Sequence, residues 1–211
     1  MLLERYEVGE RLAESERNTI RRARRISDGA RLIIKTSTRD YPSVREVQKL
    51  EFEYHILNRV KSPGIIAAVE IERQSGRVAI VLEDFGGERL AELVARGLPL
   101  SEFFPLASSI VRAIGEVHAR GVMHKDINPG NVLINPSTRE IKLIDFSIAS
   151  ELEREQLDAT AVSALEGTLP YISPEQTGRM NREVDYRTDY YSLGVTLFEL
   201  LTGSLPFSAP D

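Results

Sequence analysis

Three side chains between positions 124 and 147 could bind a metal ion and orient a hydroxyl group. The segment HKDINPGN contributes Asp126 and Asn131, and the segment LIDFS contributes Asp145. Phosphoryl transfer from a metal-bound nucleotide needs little covalent chemistry from protein side chains. It does need oxygen ligands for Mg²⁺ and a carboxylate that orients the attacking hydroxyl. These three residue types therefore indicate phosphoryl transfer if the fold brings them together.

A short hairpin is predicted between these segments. Residues 132–134 and 141–144 have strand character, and Asn135-Pro136-Ser137 between them is a turn sequence. A hairpin of this length would bring Asp126, Asn131 and Asp145 to one place.

The first 85 residues predict a sheet with one helix. Strands are expected at 6–8, 19–26 and 31–36, with Asp28-Gly29 as a hairpin turn, and residues 65–85 return to strand character. A helix is expected after Pro42-Ser43, because Val44, Val47, Leu50, Tyr54 and Leu57 recur at helical spacing. Gly86-Gly87 is a plausible hinge, and helices dominate after it.

The expected fold class is α+β with two lobes. A β-rich lobe with one main helix spans 1–85, and a mostly helical lobe spans 86–211. Clefts between such lobes are common ligand sites.

The motifs resemble those of protein kinases. HKDINPGN resembles the catalytic loop HRDxxxxN, DFS resembles the metal-binding DFG, and SPE at 173–175 stands in place of APE. The resemblance implies that Asp126 accepts the proton of the substrate hydroxyl, while Asn131 and Asp145 hold Mg²⁺. Lys125 replaces the usual arginine with another cation.

The same resemblance places a lysine on the third strand and a carboxylate partner on the small-lobe helix. LIIK ends in Lys35, and EYHIL resembles the family's ExxIL, which makes Glu53 the expected partner. Glu51 and Glu46 are the alternatives.

Nucleotide contacts are implied by the resemblance, with two clear departures. No glycine remains in the phosphate lid, where GxGxxGxV is replaced by Ala13, Ser15, Asn18 and Ile20, so a stiffer lid and weaker nucleotide binding are expected. Asn128 stands where a lysine usually reaches the transferring phosphate, and a neutral amide cannot supply that charge. The remaining implied contacts to ATP are Lys35, Leu82 as the gatekeeper, the segment from Glu83 to Phe85, and Leu133.

Two further residues are implied to support the catalytic loop. Thr168 of GTLPYISPE is expected to bond near Asp126 and to favour serine or threonine acceptors, although it could be a surface turn residue. Asp189 resembles the aspartate that braces the loop, although it could merely cap its own helix. Ser150, Thr160 and Ser163 are candidate phosphorylation sites of the activation segment.

Composition excludes several other classes of protein. The chain has 211 residues, no cysteine, three histidines and a net charge of −5, which argues against disulfide frameworks, thiolate metal sites and general nucleic-acid binding. No signal peptide is indicated, and a cytoplasmic protein is expected. Tyr190 to Leu201 is too short for a bilayer span and is expected to be a buried helix, so no membrane insertion is predicted.

The region from Tyr171 to Phe207 also resembles the kinase domain of large bacterial multidomain proteins, in which an ATPase module and sensor and histidine-kinase domains follow. We therefore expect further domains in the parent chain, and a kinase domain cut short at its C-terminal end. Glu175 would then lack its family arginine partner, and the fragment would be only marginally stable.

The leading hypothesis is ATP-dependent phosphorylation of serine or threonine in a protein substrate, in bacterial signalling. A pseudokinase or nucleotide-binding regulatory module is the alternative, because of the altered lid and Asn128. A small-molecule phosphotransferase is a third reading, which SPE and the Asp189 helix disfavour.

Overall fold

The structure, a computed structural model, describes residues 3–152, 167–178 and 183–207. It divides into two compact units. The first comprises residues 1–61 and 66–86, and the second comprises residues 62–65 and 87–211. The division between Gly86 and Gly87 lies at the predicted hinge, and the two-lobed α+β fold class is confirmed.

The first unit is an antiparallel sheet with one helix. Its strands are β1 (Tyr6–Glu14), β2 (Asn18–Arg25), β3 (Arg31–Ser37), β4 (Ala68–Gln74) and β5 (Arg77–Glu83), in the order β1-β2-β3-β5-β4. Helix α1 (Val44–Arg59) packs against β3, β4 and β5.

Strand β5 is buried on both faces because its apolar side chains alternate between two cores. Ala79 and Val81 join a cluster with Ile34 on one face, while Val78 and Ile80 pack with Leu50 of α1 on the other. The continuous apolar run thus positions β3, the strand that carries Lys35.

Helix α1 begins at a capping box. The side chain of Ser43 accepts a hydrogen bond from the backbone N–H of Glu46, and the Glu46 carboxylate accepts from the backbone N–H of Ser43. This reciprocal pair satisfies two donors that a helix N-terminus otherwise leaves open.

The second unit is mostly helical. It contains β6 (Glu88–Arg89), α2 (Leu90–Arg96), α3 (Leu100–His118), β7 (Val122–Met123), β8 (Val132–Ile134), β9 (Ile141–Leu143), β10 (Ser150–Glu151) and α4 (Arg187–Thr202). Strands β6, β8 and β9 form one small antiparallel sheet, and β10 pairs with β7. Short 3₁₀ turns lie at Pro129–Asn131, Leu169–Tyr171 and Pro174–Thr177.

Helix α4 corrects one expectation from the sequence. It was predicted to be a buried helix, but only one of its faces is buried, since Tyr190 is 50% exposed and Leu201 is 51% exposed. The buried face carries Thr188, Asp189 and Ser192 besides apolar residues. The apolar content of this segment therefore does not predict that one face of the helix is exposed.

Candidate functional site

The carboxylate of Asp126 is held by hydrogen bonds from three residues of the second unit. Oδ1 accepts from the backbone N–H of Thr168 at 2.9 Å and from Nδ2 of Asn128 at 3.1 Å, and Oδ2 accepts from Nδ2 of Asn131 at 2.8 Å. Asp126 itself is partly exposed. The group is therefore oriented by its surroundings and still accessible to a second molecule.

Asn131 and Asp145 lie at the same end of the β8–β9 hairpin. The backbone N–H of Ile144 donates to the carbonyl of Asn131 at 3.0 Å, just beyond the Val132–Leu143 strand pair. Asp145 follows with φ of 62°, a left-handed conformation that is rare for residues other than glycine and is often found at functional sites.

The residues here fit a hard divalent cation. Asn131 uses its donor atom, Nδ2, on Asp126, and its acceptor atom, Oδ1, is the one that a metal ion needs. Carboxylate and amide oxygens are the ligands that Mg²⁺ prefers. The described residues hold no cluster of three or more His, Cys, Asp or Glu side chains suited to a metal.

The backbone of the loop before Asp126 rests on a buried aspartate. Oδ1 of Asp189 accepts from the N–H of Lys125 at 2.7 Å, and Oδ2 accepts from the N–H of His124 at 2.9 Å. His118 Nε2 lies 2.7 Å from the same Oδ2. Asp189 is 0% exposed. Its carboxylate thus holds the backbone of His124 and Lys125, the bracing position that the resemblance implies for Asp189.

The imidazole of His124 joins that loop to the following hairpin. Its Nε2 lies 3.0 Å from the carbonyl of Ile144, and its Nδ1 accepts the N–H of Asp126 at 3.3 Å. This arrangement requires the tautomer with its proton on Nε2. The ring also packs on Phe146, with centroids 4.5 Å apart.

The segment from Gly167 to Gly178 brings Thr168 to the carboxylate. Gly167 has φ of 119°, and a Cβ there would come within 3.2 Å of Ile172 Cγ1, so glycine is required. Downstream, Nε2 of Gln176 donates to the carbonyl of Lys125 at 2.9 Å. The segment and the catalytic loop are therefore tied at both Thr168 and Gln176.

Side chains on α4 also contact this segment. Ser192 Oγ donates to the carbonyl of Tyr171 at 2.7 Å, and the hydroxyl of Tyr171 donates to Glu199 at 2.5 Å. The pKa of Tyr171 is raised chiefly by burial of its hydroxyl, and the hydrogen bond to Glu199 raises it further. Glu175 accepts from Thr188 Oγ1 at 3.0 Å, so its carboxylate has a polar contact within this chain.

Lys35 and Glu53 form a buried ion pair in the first unit. Lys35 Nζ lies 2.8 Å from Oε1 and 2.7 Å from Oε2 of Glu53, and the two residues are 3% and 2% exposed. The two alternatives have other partners: Glu46 caps α1 with Ser43, and Glu51 accepts from Arg73 at 2.7 Å.

The hairpin tip between β1 and β2 is closed by its own hydrogen bonds. Ser15 Oγ accepts from the N–H groups of Arg17 at 3.3 Å and Asn18 at 3.0 Å, and the N–H of Ser15 donates to the carbonyl of Asn18 at 2.9 Å. Thr38 is bonded to the carbonyls of both Ser15 and Arg17. The N–H groups of Ser15, Arg17 and Asn18 are therefore engaged within the tip, and the stiffer lid stays a prediction.

The other implied nucleotide residues fall into both units. Ala13 and Ile20 pair across β1 and β2, Leu82 and Glu83 end β5, and Leu133 lies half-buried in β8. Glu83 is held by Ala67, whose N–H donates to Oε1 at 2.7 Å. Phe85 follows β5 and is half-buried.

One candidate phosphorylation site is covered. Ser150 pairs with Met123 in the β7–β10 ladder, and its Oγ is buried without a hydrogen-bond partner among the described residues. Thr160 and Ser163 lie outside the described residues.

Several residues of this site carry no signal in the sequence. His118, Gln176 and Ser192 act through partners 71, 51 and 21 positions away. The inward orientation of Asn128 was not foreseen either, because the sequence showed only that a lysine was missing.

Within 3–152, 167–178 and 183–207, no helix has both the length and the apolarity needed to cross a bilayer.

Comparison with known proteins gives consistent similarities. The family model described as the protein kinase domain matches residues 6–211. The chain is 30% identical over 190 residues to serine/threonine-protein kinase pkn2 of Myxococcus xanthus, covering 88% of this chain and 23% of that protein. It is 28% identical over 214 residues to serine/threonine-protein kinase pkn3 of the same organism, covering 97% and 39%.

A plant relative is similar to the same extent. CBL-interacting protein kinase 11 of Oryza sativa subsp. japonica is 29% identical over 217 residues, covering 100% of this chain and 42% of that protein. The chain thus spans between 23% and 42% of the length of these relatives.

Proposed function

We propose that this chain, which belongs to the protein kinase domain family, transfers the γ-phosphoryl group of ATP to a serine or threonine hydroxyl of a protein substrate. The observation that carries the proposal is the Asp126 carboxylate, held by Asn131, Asn128 and the Thr168 amide yet still accessible. The serine/threonine kinases among the relatives support the choice of acceptor.

The second unit would supply the group that orients the nucleophile. Asp126 accepts the hydroxyl proton of the substrate as the oxygen of that hydroxyl bonds to the γ-phosphorus. The bond from phosphorus to the β,γ-bridging oxygen breaks, and ADP leaves with that oxygen. Asp189 and His118 keep the loop in place during this exchange.

Asn131 and Asp145 would hold the divalent metal, which we propose is Mg²⁺. When bound, such an ion neutralises charge on the phosphate oxygens. Lys35, oriented by Glu53, would bind the α- and β-phosphates. The supporting observations are the donor types at the end of the hairpin and the buried ion pair in β3 and α1.

The test is a transfer assay on the full-length natural protein with γ-labelled ATP, Mg²⁺ and a mixed peptide acceptor library. We expect label on serine or threonine, lost on addition of EDTA, and reduced by at least about a hundredfold in Asp126→Asn. Lys35→Met is the second control. Label transfer that Asp126→Asn leaves unchanged would refute the assignment.

A nucleotide-binding module without transfer is the second candidate function. It is favoured by the hairpin tip, whose amides at Arg17 and Asn18 are engaged by Ser15. It predicts metal-dependent ATP binding by calorimetry with no labelled product. Transfer to a metabolite rather than to a peptide would instead identify a small-molecule phosphotransferase. Further domains beside this chain, and a cytoplasmic location, stay predictions.

A further inference from the structure

The amide of Asn128 is turned into the protein and uses both of its ends. The residue is 5% exposed. Its Nδ2 lies 3.1 Å from both Oδ1 and the backbone carbonyl oxygen of Asp126 and 3.2 Å from Oγ1 of Thr168, and its Oδ1 accepts the N–H of Gly130 at 2.8 Å. One side chain therefore links the catalytic carboxylate, the Thr168 segment and the 3₁₀ turn that follows.

An amide can make this set of contacts, whereas neither a lysine nor an aspartate can. A lysine ammonium has donors and no acceptor, and an aspartate has acceptors and no donor, whereas asparagine has both. Gly130 matches it, because a Cβ at that position would come within 2.9 Å of the Asn128 oxygen. The combination of asparagine and glycine in NPGN thus fits the observed geometry.

These contacts make the two oxygens of Asp126 unequal. A carboxylate oxygen has two lone pairs in the plane of the group. Both lone pairs of Oδ1 are matched by donors, the Thr168 N–H and Asn128 Nδ2. Oδ2 accepts a single hydrogen bond from the described residues, that of Asn131. A substrate hydroxyl therefore has its acceptor at Oδ2.

We infer that Asn128 is a positioning residue, which occupies Oδ1 of Asp126, ties it to Thr168 and directs the substrate hydroxyl to Oδ2. Asn128 then has a positioning role of its own, and the difference at this position is more than the absence of the lysine charge. The inference deepens the proposed function and rests on it for its catalytic part.

Two substitutions in the full-length protein separate positioning from simple capping. Asn128→Asp has the same shape, keeps the acceptor for Gly130 N–H and remains a preferred cap residue, but it loses the donor and places a second carboxylate beside Asp126. Asn128→Ala removes both ends. We expect both variants to lower kcat by at least about tenfold, with KM for ATP nearly unchanged.

The outcomes of the kinetic test are distinct. A residue that only caps the turn would tolerate aspartate, so wild-type kcat in Asn128→Asp would overturn the inference. Thr168→Val removes the acceptor for Asn128 while it keeps the backbone N–H. Its effect on kcat should not add to that of Asn128→Ala, because the two variants break one shared contact.

A measurement that does not depend on activity tests the role of Asn128 separately from the proposed function. The Thr168 N–H is bonded to Oδ1 of Asp126, so its hydrogen exchange, measured by NMR, should be faster in both Asn128 variants. The amide of Ala79, in the first unit, is the internal control. If the wild type transfers no phosphate, the proposed function fails, while the exchange rates still test the tie to Thr168.

Exchange at Thr168 as slow in both variants as in the wild type would refute the tie. Thermal unfolding followed by circular dichroism checks that the variants fold. If both variants failed to fold, Asn128 would be a folding residue, and the positioning role would be rejected.

Discussion

Replacing Asp189 by asparagine should destabilise the second unit and displace the catalytic loop. The Asp189 carboxylate is fully buried and receives hydrogen bonds from the N–H groups of His124 and Lys125, with His118 Nε2 at 2.7 Å. Lys125 has φ of 67° and directly precedes Asp126. The carboxylate therefore holds a strained residue beside Asp126, the proposed catalytic residue.

The magnitude follows from the groups that the substitution leaves behind. In the more favourable of the two amide orientations, the new oxygen accepts hydrogen bonds from the N–H of His124 and from His118 Nε2. The new NH₂ then faces the N–H of Lys125. Two buried donors, the N–H of Lys125 and the new NH₂, are left without an acceptor at about 1–3 kcal/mol each, and two hydrogen bonds lose the benefit of a charged acceptor at about 1 kcal/mol each. The sum, about 4–8 kcal/mol, is a large part of a typical domain stability of about 5–15 kcal/mol.

The assay is urea unfolding followed by circular dichroism, beside kcat measured under native conditions. Glu102→Gln is the matched carboxylate-to-amide control, because Glu102 pairs with Arg139 at the surface, where the two side chains are 43% and 42% exposed. That control should cost under about 1 kcal/mol. A loss of stability in Asp189→Asn no larger than in the control, or an unchanged kcat, would refute the reasoning.

Three further predictions concern the first unit. Glu53→Gln should cost about 3–5 kcal/mol in urea unfolding, because it leaves the Lys35 ammonium buried without its carboxylate, whereas the double variant Lys35→Met, Glu53→Leu should recover most of that stability without restoring phosphate transfer. Ser43→Ala should destabilise α1 less at acid than at neutral pH. Hydrogen bonds from Ser43 lower the pKa of Glu46 from its ordinary 4.5. The stability that these hydrogen bonds contribute is therefore present above pH 4.5 and is lost as the pH falls through the lower pKa of the folded state. Ser15→Gly should lower the Kd for ATP severalfold in calorimetry, because it releases hairpin-tip amides for phosphate oxygens.

Each of these three predictions has a result that contradicts it. A double variant as unstable as Glu53→Gln would mean that the buried charge is not the cause of the loss. A stability difference between wild type and Ser43→Ala that stays constant from neutral to acid pH would show that Glu46 is not involved. An unchanged or weaker affinity in Ser15→Gly would show that the amides at the tip do not bind phosphate.

The sequence by itself determined the elements and the order of the chemical groups. Strand β5 was predicted from a continuous apolar run, α1 from its spacing and Ser43, and the β8–β9 hairpin from its turn residues. These signals are local, since each depends on residues within one element. The proximity of Asn131 and Asp145 was predicted because a short antiparallel hairpin brings the residues before its first strand close to the residues after its second strand.

Only the tertiary structure decided how the carboxylate of Asp126 is held. Asn128 bonds Thr168 across 40 positions, Gln176 bonds Lys125 across 51, and His118 meets Asp189 across 71. A hydrogen bond between distant segments leaves no periodicity or spacing in the chain, because its geometry depends on the packing of α3, α4 and the loops. Sequence could therefore show that Asn128 is not a lysine, and only the fold could show where its amide points.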